Sequence, residues 1–367
     1  MDMAHSALGR TEPHQPSLCC HEHRPILPST NLHLRMSTTA AAADILAPGP
    51  VCVDISGTTL TDHERDRLRH PLTGMVILFT RNYESPEQLS ALCADIHRTR
   101  PGILIAVDHE GGRVQRFRTG FTEVPSMASL AEREDRASAF RAAGAVLAAE
   151  LLACGVDLTF APVLDVNYGR SSVIGNRSFG STPMEVIENA SAFIDGLMQA
   201  GMASCGKHFP GHGWAEADSH VALPTDERDV HALSRDMEPY RAIRNLASLM
   251  TAHVSYEAYH GELATFSATL LKEVLRSELG FDGLVFSDDL SMKAAELGNI
   301  VTRAEKALAA GCDMVLICNH PEQADELLAG LRWQRTADFD RRFERLRPKL
   351  EPLSEAKLAQ ARDIVLA

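Results

Sequence analysis

The segment from Lys207 to His220 concentrates side chains that can perform acid–base chemistry. It holds one lysine, three histidines and two carboxylates within fourteen residues. Its glycines and its proline favour a loop, which follows an apolar run typical of a strand. A histidine beside a carboxylate forms a pair whose pKa values shift each other, and such pairs act as general acids and bases near neutral pH. The segment therefore predicts a catalytic loop, and the rest of the chain must identify its substrate.

Polar side chains also follow other apolar runs of the chain. They are Asp108 and Arg116 after the third run, Asp165 and Arg177 after the fourth, Lys207 and His208 at the fifth, His253 at the sixth, and Asp288 and Asp289 at the seventh. If these runs are parallel strands of one barrel, their carboxyl ends meet around one mouth, where the active sites of such barrels lie. We therefore expect these residues to converge.

Eight apolar runs alternate with amphipathic stretches of helical period between residue 50 and residue 320. The predicted strands are Val51–Ile55, Gly74–Phe79, Ile103–Val107, Leu158–Val163, Ala203–His208, Leu249–Val254, Leu284–Ser287 and Met314–Cys318. Nearly continuous apolar strands indicate a parallel sheet that is buried on both faces. This count predicts an α/β fold with a single (β/α)₈ barrel of the TIM type. No Gly-x-Gly-x-x-Gly fingerprint follows the first strand, which disfavours a dinucleotide-binding sheet.

Local signals place several helix ends. Ser85 before Pro86 is an N-cap signal for a helix that continues to Thr99. Ser267 precedes a helix that should stop at Gly280. Pro321 should open a helix toward Leu328. The tail beyond Arg332 is predicted to be helical and charged, and to pack outside the barrel.

The overall composition limits the classes of partner. The chain has 367 residues, 45% hydrophobic residues and a formal net charge of -13. This negative balance argues against nonspecific binding of nucleic acids and of anionic membranes. We find no apolar run of about eighteen residues that could span a bilayer and no secretory signal, so we expect a cytoplasmic protein whose eight cysteines are reduced. No pattern announces an interface, and we expect a monomer.

Residues 1–35 differ from the rest, being rich in His, Pro and Ser without a sustained period. We expect a disordered extension, with Met36 as the true start and residues 36–367 as the barrel domain with its C-terminal helices. The cluster from Cys19 to His23 could suggest zinc. Adjacent cysteines suit tetrahedral coordination poorly, and no second ligand pair follows at finger spacing.

Structural roles compete with functional ones for several residues. Asp108 and Asp165 could cap the helices that follow their strands, and Arg177 could be a surface charge. His208 and His253 could be satisfied core histidines. Asp288 and Asp289 could mark a helix N-terminus. For Asp289 this structural role is favoured, because adjacent side chains of an extended segment face opposite ways.

Four separated motifs together resemble family 3 of the glycoside hydrolases, and more narrowly the bacterial β-N-acetylglucosaminidases of peptidoglycan recycling. They are Lys207-His-Phe-Pro-Gly-His-Gly with Asp218-Ser-His220, Asp108-His-Glu-Gly-Gly-Arg-Val-Gln-Arg116, Asp165 with Gly175-Asn-Arg177, and Phe286-Ser-Asp288-Asp-Leu-Ser-Met. The resemblance covers residues 50–330 in family order. Two departures stand out, namely His109 in place of a common Gln and Trp214-Ala215 in place of Asp-Thr.

The resemblance implies an exo-acting enzyme that removes terminal, non-reducing β-linked N-acetylglucosamine with retention of configuration. Its substrates would be peptidoglycan fragments such as GlcNAc-1,6-anhydroMurNAc with or without peptide. Asp288 matches the nucleophile, His220 the acid/base and Asp218 its partner. The positions that match sugar-binding residues are Asp108, Arg116, Arg177, Lys207 and His208. Relatives need no metal and no cofactor, and none is expected here.

The residues themselves fit this chemistry. Retaining hydrolysis needs a nucleophile and a group that acts first as acid and then as base. A histidine can give and take a proton at neutral pH, and Asp218 lies on the same side of an extended segment as His220. Lys207 and the arginines should keep Asp288 ionised.

Three alternatives remain open at this point. A metal-dependent hydrolase could use His208, His212, His220, His253 and Asp288 as ligands around an activated water. A sugar-binding protein without activity would need neither Asp288 nor the Asp218 and His220 pair. Cleavage assisted by the substrate's acetamido group would need adjacent Asp and Glu residues, which no matching segment provides.

Overall fold

The barrel strands alternate strictly with connecting segments that are mostly helical. The computed structural model describes residues 46–216, 223–349 and 353–367. Residues 1–45 lie outside this part, so the predictions for residues 1–35, for Met36 and for the cysteine cluster concern residues that are not described. The barrel strands are β1 Val51–Asp54, β2 Thr73–Leu78, β3 Leu104–Val107, β4 Leu158–Thr159, β5 Cys205–Phe209, β6 Ser248–Thr251, β7 Leu284–Asp289 and β8 Met314–Ile317.

All eight strands are parallel neighbours in the order β4-β3-β2-β1-β8-β7-β6-β5. The two outer strands of this order meet through parallel bridges that join Leu158 to Ala203 and Val163 to Lys207. These bridges close the sheet into a ring. The predicted (β/α)₈ barrel is therefore confirmed. The fourth strand is shorter than the predicted Leu158–Val163, although Val163 still pairs with Lys207 through its bridge.

The helices of the described residues are α1 Asp62–Arg69, α2 Pro86–Thr99, α3 Met127–Ala131, α4 Arg136–Ala153, α5 Pro183–Gln199, α6 Val230–Asp236, α7 Glu238–Ala242, α8 Ile300–Ala310, α9 Pro321–Gly330, α10 Ala337–Glu344 and α11 Glu355–Leu366. A π-helical segment, Thr269–Glu278, precedes β7. The predicted cap at Ser85 is confirmed, because its side chain accepts a hydrogen bond from the backbone N–H of Gln88. Among the described helices, none is long and apolar enough to cross a membrane.

Alternation along each strand divides the core into two parts. In β1, Val51 and Val53 pack outward against the helices, whereas Cys52 packs into the barrel interior. The strands are therefore buried on both faces, as their continuous apolar runs predict. Outside the barrel, α4 and α5 cross so closely that a Cβ atom on Gly144 would lie 2.1 Å from the carbonyl oxygen of Phe193.

The C-terminal tail closes one end of the barrel. Phe339 and Phe343 of α10 are buried in the same cluster as the interior side chains of the strands. Arg341 pairs with Asp282 just before β7, and Arg342 lies 2.9 Å from Asp313 just before β8. Helix α10 therefore covers the amino ends of the strands and leaves the carboxyl ends open for a site.

Candidate active site

A cavity of about 410 Å³ opens at the carboxyl ends of the strands. Its volume lies within the range of small-molecule sites. Six of the eight predicted site residues line it, namely Asp108, Arg116, Arg177, Lys207, His208 and Asp288. The two others, Asp218 and His220, lie outside the described residues. The apolar part of the lining includes Ile77, Phe79, Phe160, Met250 and Leu316.

Asp288 stands at the end of β7, where its carboxylate borders the cavity. Burial alone would raise the pKa of this carboxyl group, but the neighbouring His253, His208 and Lys207, with the backbone N–H of Asp289, outweigh burial and lower it. Oδ1 accepts a hydrogen bond from that N–H at 2.8 Å. Asp288 is therefore kept as an ionised carboxylate at the base of the cavity.

Asp289 has a structural role, as expected. It stabilises a turn by hydrogen bonds to backbone N–H groups, however, and does not start a helix. Its carboxylate accepts hydrogen bonds from the N–H and the hydroxyl of Ser291 and from the N–H of Cys318, at 2.9, 2.7 and 3.1 Å. Burial is the main cause that raises its pKa to about 6, and the negative charge of Asp288 adds to this. The two adjacent acids therefore have opposite pKa shifts and different partners.

Lys207 is buried between two carboxylates. Its Nζ atom donates to Oδ1 of Asp108 at 2.8 Å and lies 2.6 Å from Oε1 of Glu110. Arg177 grips Glu110 with two parallel hydrogen bonds, both of 2.8 Å. Arg116 lies 3.5 Å from the second oxygen of Asp108. Asp108 therefore pairs with Lys207 and does not act as a helix cap. Arg177 lines the cavity and is not a surface charge.

His208 is oriented by Asp165. The Nδ1 atom lies 2.7 Å from Oδ2 of Asp165, and the backbone N–H groups of His208 and His212 also donate to this carboxylate. Burial would raise the pKa of Asp165, but His208 outweighs burial and lowers it. Because an ionised carboxylate only accepts hydrogen bonds, Nδ1 of His208 carries the proton in this contact. Asp165 therefore holds two histidines and caps no helix.

Glu110 was not predicted as a site residue, and Asp165 was expected at the mouth without an assigned catalytic or binding role, yet both hold predicted residues in place. The spacing of Asp108 and Glu110 could have indicated the first, because residues two apart on an extended segment face the same side. They do so in a short hairpin, where His109–Gly111 pairs with Val114–Gln115. For Asp165 the sequence offered two roles, and only the position of His208 in space decides between them.

The stem of the loop after β5 packs tightly up to residue 216. A Cβ atom on Gly213 would lie 1.8 Å from the carbonyl oxygen of Val166, so only glycine fits there. The guanidinium groups of Arg170 and Arg228 lie 4.3 and 4.9 Å from the ring centre of Trp214. Arg170 also lies 2.6 Å from Glu216. The unusual Trp214 thus contacts two cations at the base of the segment that carries Asp218 and His220.

The described residues contain no group of three histidine, cysteine or acidic side chains that could hold a metal ion. Of the proposed zinc ligands, His208 and His212 lie near each other, with ring centres 5.8 Å apart. His208 is engaged by Asp165 in this arrangement. His220 belongs to the segment outside the described residues.

Comparison with known proteins agrees with this geometry. Residues 45–347 match the N-terminal domain of glycosyl hydrolase family 3. The β-hexosaminidase of Nitrosomonas eutropha is 50% identical over 329 residues, which cover 87% of this chain and 94% of the relative.

Solved structures of a bacterial relative share the fold of this chain. Native NagZ from Neisseria gonorrhoeae superposes with a TM-score of 0.82 at 43% identity, covering 87% of this chain and 97% of that one. The same protein in complex with N-trifluoroacetyl-D-glucosamine gives a TM-score of 0.81 at 41% identity, covering 87% and 99%. The chain therefore belongs to glycosyl hydrolase family 3 and is a glycoside hydrolase of the β-hexosaminidase type.

Proposed function

We propose that this protein is a retaining exo-β-N-acetylglucosaminidase in which Asp288 is the nucleophile, His220 is the acid/base and Asp218 is the partner of His220. The observation that carries the proposal is the state of Asp288. Its carboxylate borders the cavity, and its pKa is lowered by nearby histidines and Lys207 despite burial. An ionised carboxylate beside hydrogen-bond donors is what attack on a sugar carbon requires.

In the first step, Asp288 attacks the anomeric carbon while His220 protonates the leaving oxygen, and a covalent glycosyl-enzyme forms. In the second step, His220 takes a proton from water while the water oxygen attacks the same carbon from the face that the leaving group left, and the bond to Asp288 breaks to release its carboxylate. Two inversions restore the original configuration. Asp218 holds the imidazole ring and stabilises its cationic form, as carboxylates do in other sites centred on histidine.

The remaining residues bind the sugar ring. Asp108, Arg116, Arg177, Lys207 and His208 present charged donors and an acceptor around one cavity. Hydrogen bonds with one charged partner are stronger than neutral ones, so this set suits the hydroxyl and amide groups of one N-acetylhexosamine. The cavity volume of about 410 Å³ suits a single terminal sugar and supports exo action. Binding of N-trifluoroacetyl-D-glucosamine by the Neisseria protein supports the same ligand class.

We further propose that the substrates are peptidoglycan fragments, GlcNAc-1,6-anhydroMurNAc with or without peptide, cleaved in the cytoplasm by a monomer. Similarity to a bacterial β-hexosaminidase supports the hexosamine part of this substrate. The six cysteines of the described chain are buried and unbridged, which suits a reducing compartment. Size-exclusion chromatography with light scattering tests the monomer.

The central experiment uses a 5-fluoro derivative of N-acetylglucosamine with an activated leaving group, because fluorine slows breakdown of the glycosyl-enzyme and the 2-acetamido group is kept. Digestion and mass spectrometry should locate the adduct on Asp288. Turnover of a chromogenic N-acetylglucosaminide should vanish in Asp288→Ala and persist in Asp289→Asn. An adduct on another residue would refute the assignment, and NMR detection of an initial α-anomer would refute retention. Full activity after dialysis against a chelator would dismiss the metal-dependent alternative.

A further inference from the structure

Glu110 is the carboxylate that two cavity cations share. Its side chain is only 4% exposed, and it contacts Arg177 through both oxygens and Lys207 through one, at 2.8, 2.8 and 2.6 Å. Burial would raise its pKa, but Arg177 and Lys207 outweigh burial and lower it. Glu110 is therefore an anion inside the cavity wall, and its partners are two residues proposed to bind the sugar.

The charges around the cavity are balanced. Among the described residues that line it, the acids Asp108, Glu110, Asp288 and Asp289 oppose the bases Arg113, Arg116, Arg177 and Lys207. Lys207 is itself placed between Asp108 and Glu110. A cavity with this balance offers strong donors but little net attraction for an anion, because Arg116, Arg177 and Lys207 already face the carboxylates of Asp108 and Glu110.

We propose that Glu110 is a positioning residue that makes the cavity selective for an uncharged sugar over anionic ligands. The inference rests on the proposed function for the identity of the sugar. Glu110 fixes the guanidinium of Arg177 and the ammonium of Lys207 so that their remaining N–H groups meet neutral hydroxyl or amide oxygens. It also supplies the negative charge that repels a phosphorylated, sulfated or carboxylated ring.

Removal of this charge should change the ligand preference. Without it, Lys207 and Arg177 keep their positive charges but lose their common counterion. Arginine forms bidentate pairs with oxyanions, and lysine binds them as a point charge. The pair should then attract an oxyanion, while a neutral sugar loses the fixed geometry of its donors.

The test compares Glu110→Gln, Glu110→Asp and Asp289→Asn with the wild type by calorimetry. The probes are inorganic sulfate and free N-acetylglucosamine at constant ionic strength, because surface charge effects vary with salt. Glu110→Gln should bind sulfate about tenfold to a hundredfold more tightly and N-acetylglucosamine more weakly. Glu110→Asp keeps the negative charge and should bind the two ligands in the same order of affinity as the wild type. Asp289→Asn removes a carboxylate whose hydrogen bonds, within the described part of the chain, go to Ser291 and Cys318, and it should leave sulfate affinity near the wild-type value.

Each result decides the proposal. Weaker sugar binding without a gain for sulfate in Glu110→Gln would show that Glu110 supports sugar binding without excluding anions, and would overturn the selectivity role. An equal gain for sulfate in Asp289→Asn would reduce the effect to total charge and would also overturn it. Circular dichroism establishes whether each variant is folded. If Glu110→Gln does not fold, Glu110→Asp decides alone, because a shift of the ligand preference of Glu110→Asp toward sulfate would contradict the proposed role. Binding is measured without turnover, so the ligand preference of Glu110→Gln can still be determined if the proposed reaction is wrong.

Discussion

Oδ2 of Asp165 lies 2.7 Å from Nδ1 of His208, and the same carboxylate accepts the backbone N–H of His212. One buried anion on the segment after β4 therefore holds both ends of the Lys207–Gly213 motif where it enters the cavity. This contact joins two neighbouring barrel strands that are more than forty residues apart in sequence. The carboxylate of Asp165 thus fixes both the ring of His208 and the start of the proposed catalytic loop.

Asp165→Asn should disturb His208 without removing any predicted binding or catalytic group. The amide carries no negative charge, and its NH₂ group is a donor that faces other donors. We expect kcat/KM for a chromogenic N-acetylglucosaminide to fall about a hundredfold, the scale seen when reacting groups are misplaced by about an ångström. Asp195→Asn, at a side chain that is 48% exposed, is the control. An Asp165→Asn enzyme of normal activity would mean that the contact is dispensable.

Gly213→Ala probes the stem of the loop. The added Cβ atom would lie 1.8 Å from the carbonyl oxygen of Val166, so the stem must move away from the segment after β4. We expect activity to fall about a hundredfold while most of the fold persists. Gly57→Ala is a matched control, because a Cβ atom there meets nothing within 4 Å. Equal activities of the two variants in a steady-state assay would contradict the packing argument.

The architecture could be predicted because the strand signal is repeated. Each apolar run is short and buried on both faces, so its position follows from composition alone, and alternation with helices limits the topology to a few folds. The convergence of Asp108, Lys207 and Asp288 follows from the same inference, since the sequence places all three at or near the carboxyl ends of predicted strands. This part of the site depends on the fold and not on local detail.

Pairings between side chains could not be predicted in the same way. Asp165 could cap a helix or bind a histidine until the strands are placed in space. The spacing of Asp108 and Glu110 indicates a shared face, but it does not indicate that Arg177 and Lys207 are the partners of Glu110. The role of α10 was equally hidden, because Phe339 and Phe343 show only that one helix face is buried, not what it covers. The spacing of residues in the sequence indicates which of them lie on the same face of an element. It does not indicate their partners, because those come from another strand.

His109 should make the protein sensitive to acid. Its ring is buried against Phe117 and Phe121, and neither ring nitrogen has a hydrogen-bond partner among the described residues. Burial, with the charges of Arg118 and Arg116, lowers its pKa from 6.5 to about 3. The unfolded chain therefore binds a proton in a range where the folded protein does not. The contribution of the neutral His109 ring to the free energy of unfolding is complete above pH 6.5 and is lost as the pH falls toward 3.

We expect the free energy of unfolding of the wild type to fall relative to that of His109→Gln by about 1.4 kcal/mol for each pH unit within this window. Urea unfolding at a series of pH values measures the difference. His231→Gln, at an exposed histidine, is the control for loss of an imidazole as such. Parallel pH profiles of wild type and His109→Gln would show that this ring is not protonated on unfolding.

His220→Ala tests the proposed acid by the choice of leaving group. A poor leaving group needs a proton as its bond breaks, whereas an activated aryl oxide leaves without one. For alkyl glycosides we expect a loss of about ten- to ten-thousandfold, the usual range for acid–base catalysis, and a much smaller loss in glycosylation by aryl substrates. Asp218→Ala should follow the same pattern more mildly. Asp288→Ala provides the contrast, because a missing nucleophile should abolish turnover of both substrates. Equal losses on both in His220→Ala, measured as kcat/KM, would exclude His220 as the acid and leave the donor to be sought among the other groups at the cavity.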